Sequence, residues 1–118
     1  MSHIIGVGID ACSLSRIEDV WQNNHAERFI KRVCTETEQK QGIDALKLTK
    51  IWAMKEAVSK ALGVGIGIEL SFQDIETYKL ASGQPQVTIP AKWAADIHIS
   101  YTTEKDMVTA FAIATKAV

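Results

Sequence analysis

A basic excess is missing from this chain: 13 Lys and Arg stand against 14 Asp and Glu, for a formal charge of −1. Binders of nucleic acid or anionic membrane draw on a large positive surplus, so neither partner is expected. Any basic patch must be local; Arg28, Lys31 and Arg32 around Phe29 and Ile30 are the candidate, and a solvated helix face is the default reading of them. Long apolar runs are missing too. The N-terminal run Ile4 to Ile9 is too short for a signal-peptide core or a membrane span and stops at Asp10. Cysteine is scarce: Cys12 and Cys34 lack metal-ligand spacing and are too few for a disulfide framework. That fits a reducing, cytoplasmic setting with each thiol as a small core filler, while a single bridge stays open. There is no low-complexity segment and no repeat of fixed period.

What is present is a 118-residue chain, 47% apolar. That suits one domain over 1–118, large enough to bury a core and too small for two. Ile4 to Ile9, β-branched and broken by Gly6 and Gly8, predicts a buried strand closely approached by other backbone, with Asp10 at its exit. Leu14, Ile17, Val20 and Trp21 recur at helical spacing behind a serine cap. A short helix follows through Phe29, Ile30 and Val33, then a capping-box pattern at Thr35 and Glu38, with polar connector from Gln39 to Asp44. A long helix is predicted from Asp44 to Leu62, closed by Gly63, with Gly65 and Gly67 extending the turn. Beyond it lie a hairpin, 74–80 and 86–89 about the turn Ser82-Gly83-Gln84-Pro85, an alternating strand at Ile97, Ile99 and Tyr101, and a strand apolar on both faces from Met107 to Ala114. The fold class expected is α+β, with one mainly antiparallel sheet packed against the long helix.

The densest chemistry lies in Trp52 to Gly67. Glu56 and Lys60 are four residues apart, about one turn at roughly 3.6 residues per turn, and share a face while Ile51, Val58 and Leu62 form an apolar stripe elsewhere. Eight of the twelve residues from Ile51 to Leu62 are apolar, so Glu56 is expected to be partly buried. An ionised carboxylate buried without a counter-charge costs several kcal/mol, so Lys60, a bound cation, or both should sit beside it. Taken alone, the pair is also an ordinary i,i+4 ion pair, Asp10 a turn or cap residue, and the glycines a helix stop without the Walker Lys-Ser/Thr ending.

Three segments in order, G-V-G-I-D with Arg16-Ile17 after it, K-E-A-V-S-K-A-L-G-V-G-I-G, and I-H-I-S-Y-T-T before an alanine-rich strand, resemble the holo-acyl-carrier-protein synthase type of 4′-phosphopantetheinyl transferase. The resemblance covers nearly the whole chain, including L-S-F-Q-D-I-E and the S-G-Q-P turn. It implies the transferase fold and transfer of phosphopantetheine from coenzyme A to a serine of an apo acyl carrier protein. It also implies Mg²⁺, release of adenosine 3′,5′-bisphosphate, and a place in fatty acid biosynthesis. By position Asp10 and Glu56 match the metal-binding carboxylates, and Lys60 the lysine on coenzyme A phosphate. Gly63, Gly65, Gly83, Pro85, Ser100, Thr102 and Thr103 fall where that substrate is bound. Glu56 is the candidate base; His3, His25 and His98 are poorer ones. Arg16, Arg28 and Arg32 match the basic surface that docks the acidic carrier protein. Short relatives of this type form trimers with active sites between subunits, so a homotrimer is expected by resemblance.

The chain also departs from that pattern. Thr103 stands where a histidine is usual, Ile51 where an arginine precedes the aromatic, and Gln84 where the hairpin turn has lysine. Charge-assisted contacts are worth roughly 1.5 to 3 kcal/mol each, so weaker coenzyme A binding is expected, with Ser100, Thr102 and Thr103 offering neutral donors instead. The alternative to an active but divergent transferase is a weakened paralogue that serves as a carrier-protein-binding module; a third reading is a structural subunit with an internal Glu56–Lys60 bridge.

Overall fold

The computed structural model describes residues 3–118. Strand β1 (Ile4–Ser13) leads into helix α1 (Leu14–Gln22), followed by α2 (Ala26–Val33), α3 (Glu36–Lys40) and the long α4 (Ala45–Ala61). A 3₁₀ turn at Phe72–Asp74 opens the second half, with β2 (Glu76–Lys79), β3 (Pro85–Thr88), β4 (Ala95–Glu104) and β5 (Met107–Lys116). All pairing is antiparallel: β1, β5 and β4 form one sheet in that order, while β2 and β3 form a hairpin sheet of their own. The sheet expected as one is thus two. Among the described residues no helix is long and apolar enough to cross a membrane.

Local chemistry explains the boundaries. Ser13 caps α1 by accepting from the Arg16 amide, and Thr35 and Glu38 close a reciprocal capping box on α3, which takes in Gln39 and Lys40 from the expected connector. Asp44 caps α4 through the Lys47 amide, and Gly63, at φ +77, ends that helix in the left-handed region. The hairpin turns through Gly83, at φ +89, whose amide donates to the Leu80 carbonyl.

Helix α4 is the core. Leu48, Ile51, Ala53, Ala57, Val58 and Ala61 are buried in it, against Val108, Ala110, Ala112 and Ala114 of the central strand β5. Small alanines on both elements let helix and sheet approach. Trp52 bridges Phe29 of α2, at a centroid distance of 5.3 Å, and Phe72 of the 3₁₀ turn, at 4.9 Å, tying the helical layer to the hairpin side. Both cysteines are free and buried, so no bridge links them.

Strand β1 departs from expectation in two ways. It runs on to Ser13, paired with Met107, so Asp10 is an interior strand residue and not its exit. It is also covered on one face only: Val7 and Ile9 are 56% and 58% exposed, on the outer face beside Phe111 of β5. The inner face is tight as predicted. A Cβ on Gly8 would sit 2.0 Å from the Ala57 carbonyl oxygen, and one on Gly6 2.1 Å from that of Ala61. Gly8→Ala therefore has to push β1 off α4. A loss of at least about 1–3 kcal/mol is expected by chemical denaturation, and an unchanged midpoint would show that the contact is not this close in solution.

Candidate active site

The close approach of β1 to α4 places the acidic pair. Gly6 meets Ala61 and Gly8 meets Ala57, so two steps along the strand move one turn back along the helix. The next inward residue, Asp10, falls over the turn between Ala53 and Ala57 that carries Glu56. Lys60, whose Cβ lies against Gly8, reaches over the strand and donates to the Ile9 carbonyl at 3.0 Å and to Asp10 Oδ1 at 3.1 Å.

The Glu56–Lys60 bridge expected from the spacing does not form. Lys60 turns to Asp10 and a backbone carbonyl, two acceptors within one reach. The Asp10 side chain is 15% exposed and that of Lys60 50%, so a largely buried acid is paired with an ammonium that still meets solvent. Among the described residues Glu56 has no ion pair at all. Burial pushes its carboxyl above the usual range, the Asp10 charge adds to that, and Lys60 offsets part of it. The proton therefore binds folded Glu56 more tightly than unfolded Glu56, and stability drains as pH rises from the ordinary glutamate range through the raised value. Glu56→Gln in metal-free protein is thus expected to melt higher than the parent at neutral pH, with the difference vanishing in acid. Equal melting at both pH values would mean that Glu56 is fully solvated.

Asp10 Oδ2 is buried and accepts no hydrogen bond from the described residues. With Oδ1 on Lys60, the second Asp10 oxygen and the unpaired Glu56 carboxylate leave a negative, under-coordinated spot of hard oxygen donors. That donor set fits a divalent cation. Among the described residues no group of three His, Cys, Asp or Glu could hold a metal by itself. Mg²⁺ suits such a place, being bound through one or two carboxylates plus water and substrate phosphate.

The remaining expected residues scatter. Gly63 and Gly65, both at positive φ and with open space beside them, form the loop after α4. Alternation along β4 turns Thr103 to the inner side with Tyr101 and puts Ser100 and Thr102 on the outer face, Ser100 opposite Phe111. Within one chain Ser100 and Thr102 are therefore not brought to Asp10 and Glu56. Pro85 lines a separate cavity of about 510 Å³ between α4, α3 and the hairpin, to which Asp10, Glu56 and Lys60 do not contribute. Lys47, Lys50 and Lys79 line that cavity and have no carboxylate partner among the described residues, whereas Glu38, Asp44 and Glu76 on its wall are held by Lys55, the Lys47 amide and Thr35. Lys50 lies 5.4 Å above the Tyr101 ring. Arg16 on α1 and Arg28 and Arg32 on α2 are exposed.

Sequence reasoning missed the cavity lysines and the fully buried Lys55. Lys55 donates to Glu38 at 2.8 Å, to the Val33 carbonyl at 2.7 Å and to the Phe72 carbonyl at 3.0 Å. The capping-box glutamate was visible, but nothing local says that its carboxylate also takes a lysine 17 residues on.

Residues 6–115 match the model of the 4′-phosphopantetheinyl transferase superfamily. The chain belongs to that superfamily. A holo-[acyl-carrier-protein] synthase from Listeria monocytogenes is 40% identical over 105 residues, 84% of this chain and 87% of that one. The crystal structure of the synthase from Neisseria meningitidis superposes with a TM-score of 0.86 at 32% identity, covering 94% of this chain and 98% of the other. The synthase from Bacillus anthracis, in complex with CoA (3′,5′-ADP), gives 0.83 at 32% identity over 99% and 100%. The chain is accordingly an enzyme of the holo-acyl-carrier-protein synthase type.

Proposed function

We propose that this enzyme moves 4′-phosphopantetheine from coenzyme A to a serine of an apo acyl carrier protein, with Mg²⁺ held by Asp10 and Glu56, and releases adenosine 3′,5′-bisphosphate. The observation that carries the reading is the juxtaposition of Asp10, Lys60 and Glu56 with one Asp10 oxygen buried and unpartnered. The Bacillus anthracis relative holding CoA (3′,5′-ADP) supports the donor.

Each group then has a role. Lys60, half exposed beside Asp10, presents its charge to the diphosphate, where it stabilises the developing negative charge. Glu56, directly or through a bound water, accepts the serine proton as the Oγ–phosphorus bond forms and the phosphoanhydride bond to the nucleotide breaks. Mg²⁺, when bound, supplies the further neutralisation of phosphate charge that this transfer needs.

The nucleotide end of the donor fits the hairpin cavity, where Lys47, Lys50 and Lys79 have no carboxylate partner among the described residues and Tyr101, beneath Lys50, is an aromatic wall. Lys50 precedes Ile51, so a positive charge survives one residue from the missing arginine. Because that cavity and the trio lie apart on one chain, a complete site draws them from neighbouring copies. The exposed outer face of Val7, Ile9 and Phe111 is the surface on which copies pack, as the homotrimer. Arg16, Arg28 and Arg32 receive the acidic carrier protein.

Intact-mass analysis of apo carrier protein incubated with the enzyme, coenzyme A and Mg²⁺ tests the activity. One added phosphopantetheine is expected, and no added mass on any apo carrier would leave the binding module as the better reading.

A further inference from the structure

We propose that Asp106, in the turn between β4 and β5, is a positioning residue that fixes the first turn of α1, and Arg16 with it, for the acidic carrier protein. The assignment rests on the reading of Arg16 as part of the docking surface.

A helix begins with amides that have no partner inside it, and α1 has no acidic residue in its own first turn. The missing acid comes from 91 residues away in sequence. Ser15 donates its amide to Asp106 Oδ1 at 3.0 Å and its hydroxyl to Asp106 Oδ2 at 2.8 Å, and the Leu14 amide donates to the Asp106 carbonyl at 2.7 Å. The Arg16 amide is taken by Ser13 at 3.2 Å. Three consecutive amides are thereby satisfied, two of them by one turn residue. That turn is itself held in shape: Lys105 adopts φ +55, and Met107 pairs with Ser13 directly across the sheet.

Two consequences follow for docking. Arg16 sits at the third position of α1, next to buried Ile17 and close enough to β1 for its charge to reach Cys12. A frayed first turn would let it swing away from the reaction centre. Asp106 would also be an unwelcome charge beside a surface meant for an acidic partner. Committing both oxygens to α1 donors spends that charge on the helix end.

Steady-state kinetics with carrier protein and coenzyme A varied in turn test the role. Asp106→Ala is expected to raise the KM for carrier protein about fivefold, the scale of a lost helix cap, with kcat and the KM for coenzyme A within twofold of the parent. Ser15→Ala, which deletes only the hydroxyl bond, and Asp106→Asn, which keeps one accepting oxygen, should each give a smaller rise in the same constant alone. Arg16→Ala is run beside them. An impaired R16A with a normal D106A overturns the positioning role while leaving the docking reading intact. A normal R16A removes the docking reading and the assignment with it. Equal changes of all three constants in D106A, S15A and D106N would show a general loss of fold and also overturn the role.

Discussion

Alanine at Asp10 or at Glu56 is expected to lower the transfer rate by about 10² to 10⁴-fold, the range that a positioned proton acceptor commands, while the protein stays folded. The Asp10 change leaves Lys60 without its carboxylate, but that ammonium is half exposed and an ion pair of this kind contributes about 0–1 kcal/mol. It also removes a buried oxygen that has no hydrogen-bond partner, which costs the fold nothing. The Glu56 change removes a carboxylate whose ionisation burial already opposes. The double variant discriminates further. If both acids serve one ion, losing either disables it, and D10A/E56A should be little slower than the worse single variant. Losses that multiply would mean that the two carboxylates work independently. kcat/KM from the rate of carrier-protein mass increase reads all three.

Lys55 is the neighbour of Glu56 in sequence and its opposite in consequence. Its ammonium is fully buried and holds three elements at once: the end of α2 through Val33, the 3₁₀ turn through Phe72, and α3 through Glu38. Glu38 passes the restraint on, since its other oxygen accepts from the Thr77 amide and hydroxyl of β2, both at 2.6–2.7 Å. Burial pulls the Lys55 pKa down, and Glu38 opposes that shift. Breaking such a pair from one side leaves a buried charge uncompensated and costs about 3–5 kcal/mol. Against the roughly 5–15 kcal/mol of a typical domain this is a large fraction. Lys55→Met is therefore expected to lower the urea midpoint by about 2 M at fixed protein concentration, while the chains that remain folded keep their turnover. A midpoint within a few tenths of a molar of the parent would mean that water reaches the pair. Measured together, K55M should be unstable and active, E56A stable and inactive.

Long-range order was legible where one local rule dominated. Helix α4 came within a residue at each end because Asp44 and Gly63 are strong caps, and β5 was placed centrally because both its faces are apolar. Asp10 and Glu56 were singled out by residue type and family position. What could not be read were decisions made between distant segments. Whether Lys60 turns to Glu56 on its own helix or to Asp10 depends on how near β1 comes, and that is set by Gly6 and Gly8 against α4 carbonyls. The length of β1 depends on its partner Met107, and the outward exposure of Val7 and Ile9 on what else covers the sheet. The Lys55 network and the lysine-lined cavity were invisible for the same reason: their members come from α3, α4 and the hairpin, and no periodicity links them.

The proposal that Asp10 and Glu56 share one divalent ion is open to direct test by titrating Mn²⁺ into the enzyme with coenzyme A present and following free Mn²⁺ by electron paramagnetic resonance. One tight site per chain is expected in the parent, abolished in D10A and in E56A alike and retained in K55M. Mn²⁺ binding of parental strength in both D10A and E56A would contradict the shared site and the transfer mechanism built on it.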